Sequence, residues 1–217
     1  MAEKCNLKID WATHEAAKYA CENWHYSKCI PVGKLVKVGV WEDGRFIGVV
    51  LFSRGANNNL LRPYGLNTDE GCELTRIALT KHRTAVSRIL SISFKFLKKN
   101  SEKLRLVVSY ADTGAGHHGG VYQAGGWFYV GFINQASTAI LNGKIAHKRT
   151  FDAAGIKGYK LLPAKPKHKY LMPLDEEMRK KIMPLAKNYP KRPKPSSEAT
   201  GVLPVEGGAE PTRTLQS

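Results

Sequence analysis

The chain is short of acid. Only 18 Asp and Glu stand against 34 Lys and Arg in 217 residues, a formal net charge of +16. Such an excess points to a polyanionic partner, with nucleic acid ahead of a membrane surface. Cysteine is scarce as well. Cys5, Cys21, Cys29 and Cys72 form no C-x-x-C pair, so neither a zinc finger nor a thioredoxin-like site is indicated. Four such thiols fit a reducing, cytoplasmic setting. No apolar run reaches the length of about 18 residues that a membrane helix needs, so no membrane partner is expected. The opening MAEKCNLKID is charged and has no apolar core segment, so no secretory signal is expected there. G-x-G-x-x-G and Walker A loops are both missing, as is any internal repeat.

What is present is ordinary in bulk. An apolar content of 42% argues against wholesale disorder. The length fits one domain, or at most two small ones. The charge is uneven. Ser196 to Ser217 hold three Glu against Arg213 alone, so residues 1–195 carry a formal +18. The expected organisation is a catalytic domain over residues 1–173, a basic helical or extended segment over 174–195, and a disordered tail over 196–217 rich in Gly, Pro, Ser and Thr.

Periodicity supplies the elements. Residues 4–10 read as an edge strand. Thr13 caps a helix whose apolar face is Ala16, Ala17, Ala20, Cys21 and Trp24. Residues 35–41 and 46–52 form a hairpin around Glu42-Asp43-Gly44. A polar loop (53–69) and a strand (73–80) follow, then a long helix capped by Thr84 with Val86, Ile89, Leu90, Ser93 and Leu97 on one face. LRLVVSY (104–110) reads as a central strand covered on both sides. A short helical stretch starts at Val121, an aromatic strand covers 127–132, and residues 143–172 hold one or two more strands. A last helix, 175–183, is stopped by Pro184. The sum is an α/β fold, a mixed sheet with helices on both faces.

Three constellations carry chemistry. Asn23-Trp-His-Tyr-Ser27 places His25 and Tyr26, a base and a phenol, at a helix end. The segment 110–127 begins where the central strand ends, the place where open α/β sheets hold ligands. It combines Asp112, His117, His118 and Tyr122 with glycines that expose backbone N–H groups. The turn Lys81, His82, Arg83, Thr84, Ala85 lies between a strand and a helix N-terminus, a cationic seat for a pyrophosphate. His25, Cys29, His117, His118 and His147 are available to a metal, but no spacing is diagnostic and no metal residue is assigned.

The order of these parts resembles the GNAT acyltransferases. Tyr122-Gln-Ala-Gly-Gly-Trp127 is similar to that family's Tyr-then-Gly-aromatic pattern, whereas Lys81–Val86 lacks the two glycines of its usual turn. A closer resemblance is to the phage Mom family, a GNAT-like group. It is carried by Asn23–Ser27, Glu73-Leu-Thr-Arg-Ile-Ala78, Tyr110-Ala-Asp-Thr-Gly-Ala-Gly-His117, Val121-Tyr-Gln-Ala124 and Lys167-His-Lys-Tyr-Leu-Met-Pro-Leu174, over about residues 20–185. The resemblance implies a splayed GNAT-like sheet. It also implies conversion of the adenine N6 amine in phage DNA to a methylcarbamoyl (carbamoylmethyl) amine, which shields the DNA from host restriction. An acyl-CoA or related donor and an iron ion come with the same resemblance, as does a setting in the host cytoplasm. On that reading Asp112 or His25 accepts the amine proton, Tyr122 protonates a leaving group and Tyr26 orients. Lys81 to Ala85 would bind the cofactor. Asn57-Asn-Asn59, Arg62 and Tyr64 would touch the strand, and the C-terminal basic region would neutralise phosphates. Two rival classes fit the same composition: a GNAT-type N-acyltransferase for a protein or small-molecule amine, and a nonenzymatic nucleic-acid-binding protein. The oligomeric state is open.

Overall fold

A computed structural model describes residues 5–55, 59–133, 138–163 and 166–191. Asn57, Asn58, Lys165, Arg192, Lys194 and the tail 196–217 lie outside the described residues. No helix among the described residues is long and apolar enough to cross a membrane.

The elements follow the hydrophobic pattern. Strand β1 (Leu7–Trp11) leads into α1 (His14–Trp24), whose N-cap Thr13 accepts the Ala16 N–H at 3.1 Å. Ala17, Ala20 and Cys21 of α1 are fully buried against Val49, Leu51 and Ala78. The hairpin of β2 (Leu35–Glu42) and β3 (Arg45–Ser53) turns at Asp43-Gly44, both with positive φ, as a two-residue turn requires. β4 (Gly71–Leu79) completes this half of the sheet. α2 (Val86–Asn100) buries Ile89, Leu90, Ser93, Phe94 and Leu97 on one stripe. Its N-cap is Ala85, without a side-chain cap. The expected Thr84 cap is a correction, because Thr84 is turned to Glu42 instead.

β5 (Leu106–Asp112), α3 (Gly120–Ala124), β6 (Phe128–Ile133), β10 (Lys167–Pro173) and α5 (Glu176–Ile182) build the second half. Between β6 and β10 lies a separate three-stranded sheet of β7 (Thr138–Leu141), β8 (Lys144–His147) and β9 (Lys160–Leu161), with the short α4 (Lys148–Ala153). Sequence reading gave one or two strands here and no helix. Strands of two to four residues carry too little alternation to be seen.

The main sheet has seven strands in the order β1-β2-β3-β4-β5-β10-β6. Among the described residues, only β4 and β5 pair in parallel; every other pairing in this sheet is antiparallel. That parallel pair runs from Gly71 with Leu106 to Leu74 with Ser109 and then stops. Beyond it, residues 76–79 of β4 pair only with β3, and residues 110–112 of β5 only with β10, among the described residues. The sheet is therefore splayed open at its middle.

Both faces are covered. α2 closes one over Val38, Ile47, Val107 and Trp127. α1 covers part of the other, and α5 the rest, where Met178 and Ile182 are fully buried against Leu61, Tyr64, Leu106, Val108 and Leu171. α5 is tied down at its start. Asp175 accepts the Met178 N–H at 2.7 Å and takes Arg105 at 2.9 Å, which holds its carboxyl below the usual aspartate value. Tyr64 sits in this second core at 5% exposure, so its expected role in touching a nucleic-acid strand is corrected. Met178→Ala or Ile182→Ala is expected to cost about 2–5 kcal/mol through the cavity left behind, read as a lowered denaturation midpoint in urea.

Candidate active site

The parting of β4 and β5 opens a cleft of about 620 Å³. Its walls are the free end of β4, the free end of β5, the end of α1, and the Gly/His loop that runs into α3. His25 and Tyr26, and Asp112 and Tyr122, two pairs far apart in sequence, all line it. So do His82, His117 and His118, and one residue that sequence reasoning missed, Arg76.

Tyr122 stands at the apex. The Ser109 hydroxyl lies 2.9 Å from the Leu74 carbonyl oxygen and 2.8 Å from the Tyr122 hydroxyl. Ser109 has a single proton and the carbonyl can only accept. Ser109 therefore donates to Leu74, and the Tyr122 phenol donates to Ser109. These are the last paired residues before the strands diverge. Desolvation pushes the Tyr122 phenol up to about 12, so it holds its proton at neutral pH. That proton is already committed to the protein's own frame.

His25 is the C-cap of α1 and only 8% exposed. The Ser27 N–H donates to its Nδ1 at 3.1 Å, and the Ser27 hydroxyl lies 2.8 Å from the same nitrogen. Nδ1 therefore carries the lone pair, and the neutral ring bears its hydrogen on Nε2. Burial first, then the Arg76 and His117 charges, lower His25 to about 4. At neutral pH the ring is an uncharged donor whose accepting nitrogen is in use. Its face lies 4.3 Å, centroid to centroid, from Tyr26, whose own ring lies 4.9 Å from His117. The column ties the end of α1 to the Gly/His loop. Tyr26 remains 55% exposed at the cleft mouth.

Asp112 ends β5. Its Oδ1 accepts the Gly114 N–H at 2.8 Å and its Oδ2 lies 3.5 Å from the Lys167 ammonium. The carboxylate is thus held on one side and has lone pairs to spare on the other. Arg76 faces it across the cleft from β4. A bulge at Leu51/Phe52 shifts the β3–β4 register, so that Arg76 pairs with Leu51 beside the α1 core. Its Nε is buried without a hydrogen-bond partner among the described residues. The signal for it in the sequence was a lone cation inside the strand ELTRIALT, on the face where neighbouring side chains are buried.

The cationic turn 81–85 is placed differently from expectation. Of Lys81, His82, Arg83, Thr84 and Ala85, only His82 reaches the cleft; Lys81, His82 and Arg83 line a shallower surface hollow with Glu42, Asp43 and Arg45. The Arg83 guanidinium is paired with Asp43. Two backbone N–H groups of the turn, those of Arg83 and Thr84, donate to Glu42 at 2.9 and 2.8 Å, and the Thr84 hydroxyl donates to Glu42 at 2.6 Å. As folded, these two N–H groups hold the protein's own carboxylate. The described residues also gather no group of three or more His, Cys, Asp or Glu side chains placed to hold a metal ion.

A seven-stranded mixed sheet splayed at its single parallel pair, with helices on both faces and a polar cleft at the opening, is a GNAT-like α/β fold. The chain belongs to the Mom protein family, whose model matches residues 6–191 and so takes in every cleft residue. It is 26% identical over 151 residues to "Methylcarbamoylase mom" of Escherichia phage Mu, a match that covers 68% of this chain and 62% of that protein. This chain therefore spans less than two thirds of that curated relative. Among solved structures it is similar to a Bacillus subtilis acetyltransferase in complex with CoA (11% identity, TM-score 0.48, 79% of this chain and 99% of that one). It is also similar to a Drosophila melanogaster polyamine N-acetyltransferase (7% identity, TM-score 0.48, 78% and 100%).

Two outcomes follow from the charges. The Glu42 carboxyl is lowered to about 2, chiefly by the Thr84 hydroxyl and then by the two N–H groups. Its depressed value means stability that is full above the ordinary glutamate pKa of 4.5 and is lost as pH falls through about 2. Glu42→Gln should therefore flatten the fall of the melting temperature over that acid range. His25, in turn, should stay neutral with its hydrogen on Nε2 down to about pH 5, seen as unmoved ring nitrogen shifts by NMR. Titration near the ordinary histidine value would contradict the desolvated placement.

Proposed function

We propose that the protein modifies DNA, transferring a methylcarbamoyl (carbamoylmethyl) group to the N6 amine of adenine, and so protects phage DNA from restriction in the host cytoplasm. One observation carries this reading: the Mom family match runs through the whole splayed cleft, including Asp112, His25 and Tyr122. The 26% identity to a methylcarbamoylase points the same way.

The chemistry asked of the cleft is specific. The N6 lone pair is delocalised into the purine, so the amine is a poor nucleophile and needs a base beside it when the new N–C bond forms. Asp112 supplies that base. His25 does not, because its accepting nitrogen is engaged by Ser27 and its other nitrogen already bears hydrogen. His25 is left to donate a hydrogen bond and to hold Tyr26. Arg76, cationic and unpaired at Nε, offers charge to an anionic or carbonyl oxygen of the donor. Tyr122 keeps the apex of the cleft in shape. The adenine amine faces its pairing partner in a duplex, so the base must leave the stack to reach Asp112. The donor is an activated acyl-type compound: as the amine nitrogen bonds to its carbonyl carbon, the bond from that carbon to the leaving group breaks, the leaving group departs with the electron pair, and the amine proton passes to Asp112. If it is a nucleotide thioester, its phosphates either displace Glu42 or bind elsewhere than the N–H groups of Arg83 and Thr84.

Mass spectrometry of nucleosides from cells expressing the protein tests this directly. The expected result is a heavier deoxyadenosine. Asp112→Asn should lower its yield at least about a hundredfold at equal protein level, the usual worth of a general base. Unmodified deoxyadenosine from the unaltered protein, or full modification by the Asp112→Asn variant, would overturn the assignment.

A further inference from the structure

β6 and β10 are antiparallel neighbours, and the register brings Ile133 opposite Lys167. A turn of about two to five residues would join them. The chain instead uses residues 134–166, and the described part of that excursion is the second sheet with α4. The positions of its two ends follow from the registers. Lys167 is paired with Asp112 as well as with Ile133, so the excursion leaves and re-enters the sheet at the end where the cleft opens. Its return is fastened there. The Thr113 N–H and hydroxyl both donate to the Pro166 carbonyl oxygen, at 3.3 and 2.6 Å, and Lys167 reaches Asp112 itself.

Its composition is one-sided. Residues 138–163 contain Lys144, Lys148, Arg149, Lys157 and Lys160 against a single acid, Asp152. That acid is used internally: the Tyr159 hydroxyl donates to it at 2.6 Å, and the Tyr159 ring stacks on the buried Phe151. Lys144, Lys157 and Lys160 are exposed, and none has a carboxylate within ion-pair distance among the described residues. The small sheet has its own inside, with Ala139 fully buried, while Ile145 on the opposite face is 60% exposed, on the face that Lys160 shares. A self-braced basic platform anchored beside a catalytic cleft has charge complementary to a phosphate backbone.

We propose that residues 138–163 form the arm that holds duplex DNA while an adenine enters the cleft. The inference deepens the proposed function and rests on it for the identity of the partner. It also relocates the main phosphate contacts, which the sequence had assigned to the basic stretch after residue 163.

The test is the salt dependence of binding of the full chain to a fluorescently labelled duplex. Each phosphate contact contributes a slope of about −0.9 in log K against log salt. The variant with Lys144→Ala, Lys157→Ala and Lys160→Ala should lose about two to three units of slope, and bind about ten- to a hundredfold more weakly near 0.1 M salt. Its melting temperature should be unchanged. The comparison variant, Lys180→Ala with Lys181→Ala and Lys187→Ala, should lose less than one unit. Lys144→Gln and Lys160→Gln, made singly, should each lose about one unit and leave the small sheet's interior untouched. An unchanged slope in the arm variants, or equal losses in the arm and comparison variants, overturns the proposal. The two readings separate cleanly: modified deoxyadenosine with an unchanged arm slope sinks the arm alone, whereas unmodified DNA with a reduced arm slope sinks the methylcarbamoylation and leaves the arm.

Discussion

The parting of β4 from β5 governs this protein. A parallel pair would ordinarily continue, because each added residue satisfies two backbone groups. Here pairing stops after Leu74 and Ser109, and a side-chain chain takes over: the Tyr122 phenol to the Ser109 hydroxyl to the Leu74 carbonyl. Tyr122 comes from α3, beyond β5, and packs against Trp127 and Tyr170. Gly119 enters α3 with φ of +86°, and an added Cβ there would run into the Tyr170 ring. The loop that carries His117 and His118 can therefore lie tight on the sheet, and the cleft keeps its width without any strand crossing it.

Electrostatics then sorts the groups that meet there. Burial and the nearby Arg76 strip His25 of its proton, and Ser27 fixes which nitrogen holds the remaining hydrogen. Asp112 is kept in place by a backbone N–H and a lysine without being enclosed by them. Arg76 is left with a buried donor atom to satisfy. A cationic wall, a neutral donor and one accessible carboxylate therefore meet in the cleft. On the other side of α2, Glu42 supplies the negative charge that the helix start favours. That local satisfaction makes the turn 81–85 a structural joint.

Much of the fold was readable because the core obeys simple periods. The stripe on α2, the Thr13 cap of α1, the 35–53 hairpin and the buried run in β5 all announce themselves through apolar spacing and turn residues. His25, Tyr26, Asp112 and Tyr122 were legible as candidates for a different reason: polar and titratable side chains crowd together with glycine at the ends of elements. Arg76 was not legible, because its exposure to the cleft depends on a bulge between β3 and β4 that no local pattern marks. Thr84 looked like a cap because threonine before a helix normally is one. A carboxylate 42 positions earlier claimed it instead. The small sheet escaped notice because its strands are too short to carry a period.

The sequence alone determined the layers, the order of the main strands and helices, the family likeness and the large positive charge. These depend on local spacing and on composition, which folding does not alter. Tertiary structure decided where the sheet splits, that His25 is a neutral donor while Asp112 is the open acceptor, and that Glu42 takes the Arg83 and Thr84 N–H groups just ahead of α2. It also brought the re-entry of the basic excursion, at Lys167, next to Asp112 of the cleft. Each of these is set by a contact between residues distant in the chain, and a hydrogen bond or an ion pair forms by proximity in space, which spacing along the sequence does not record.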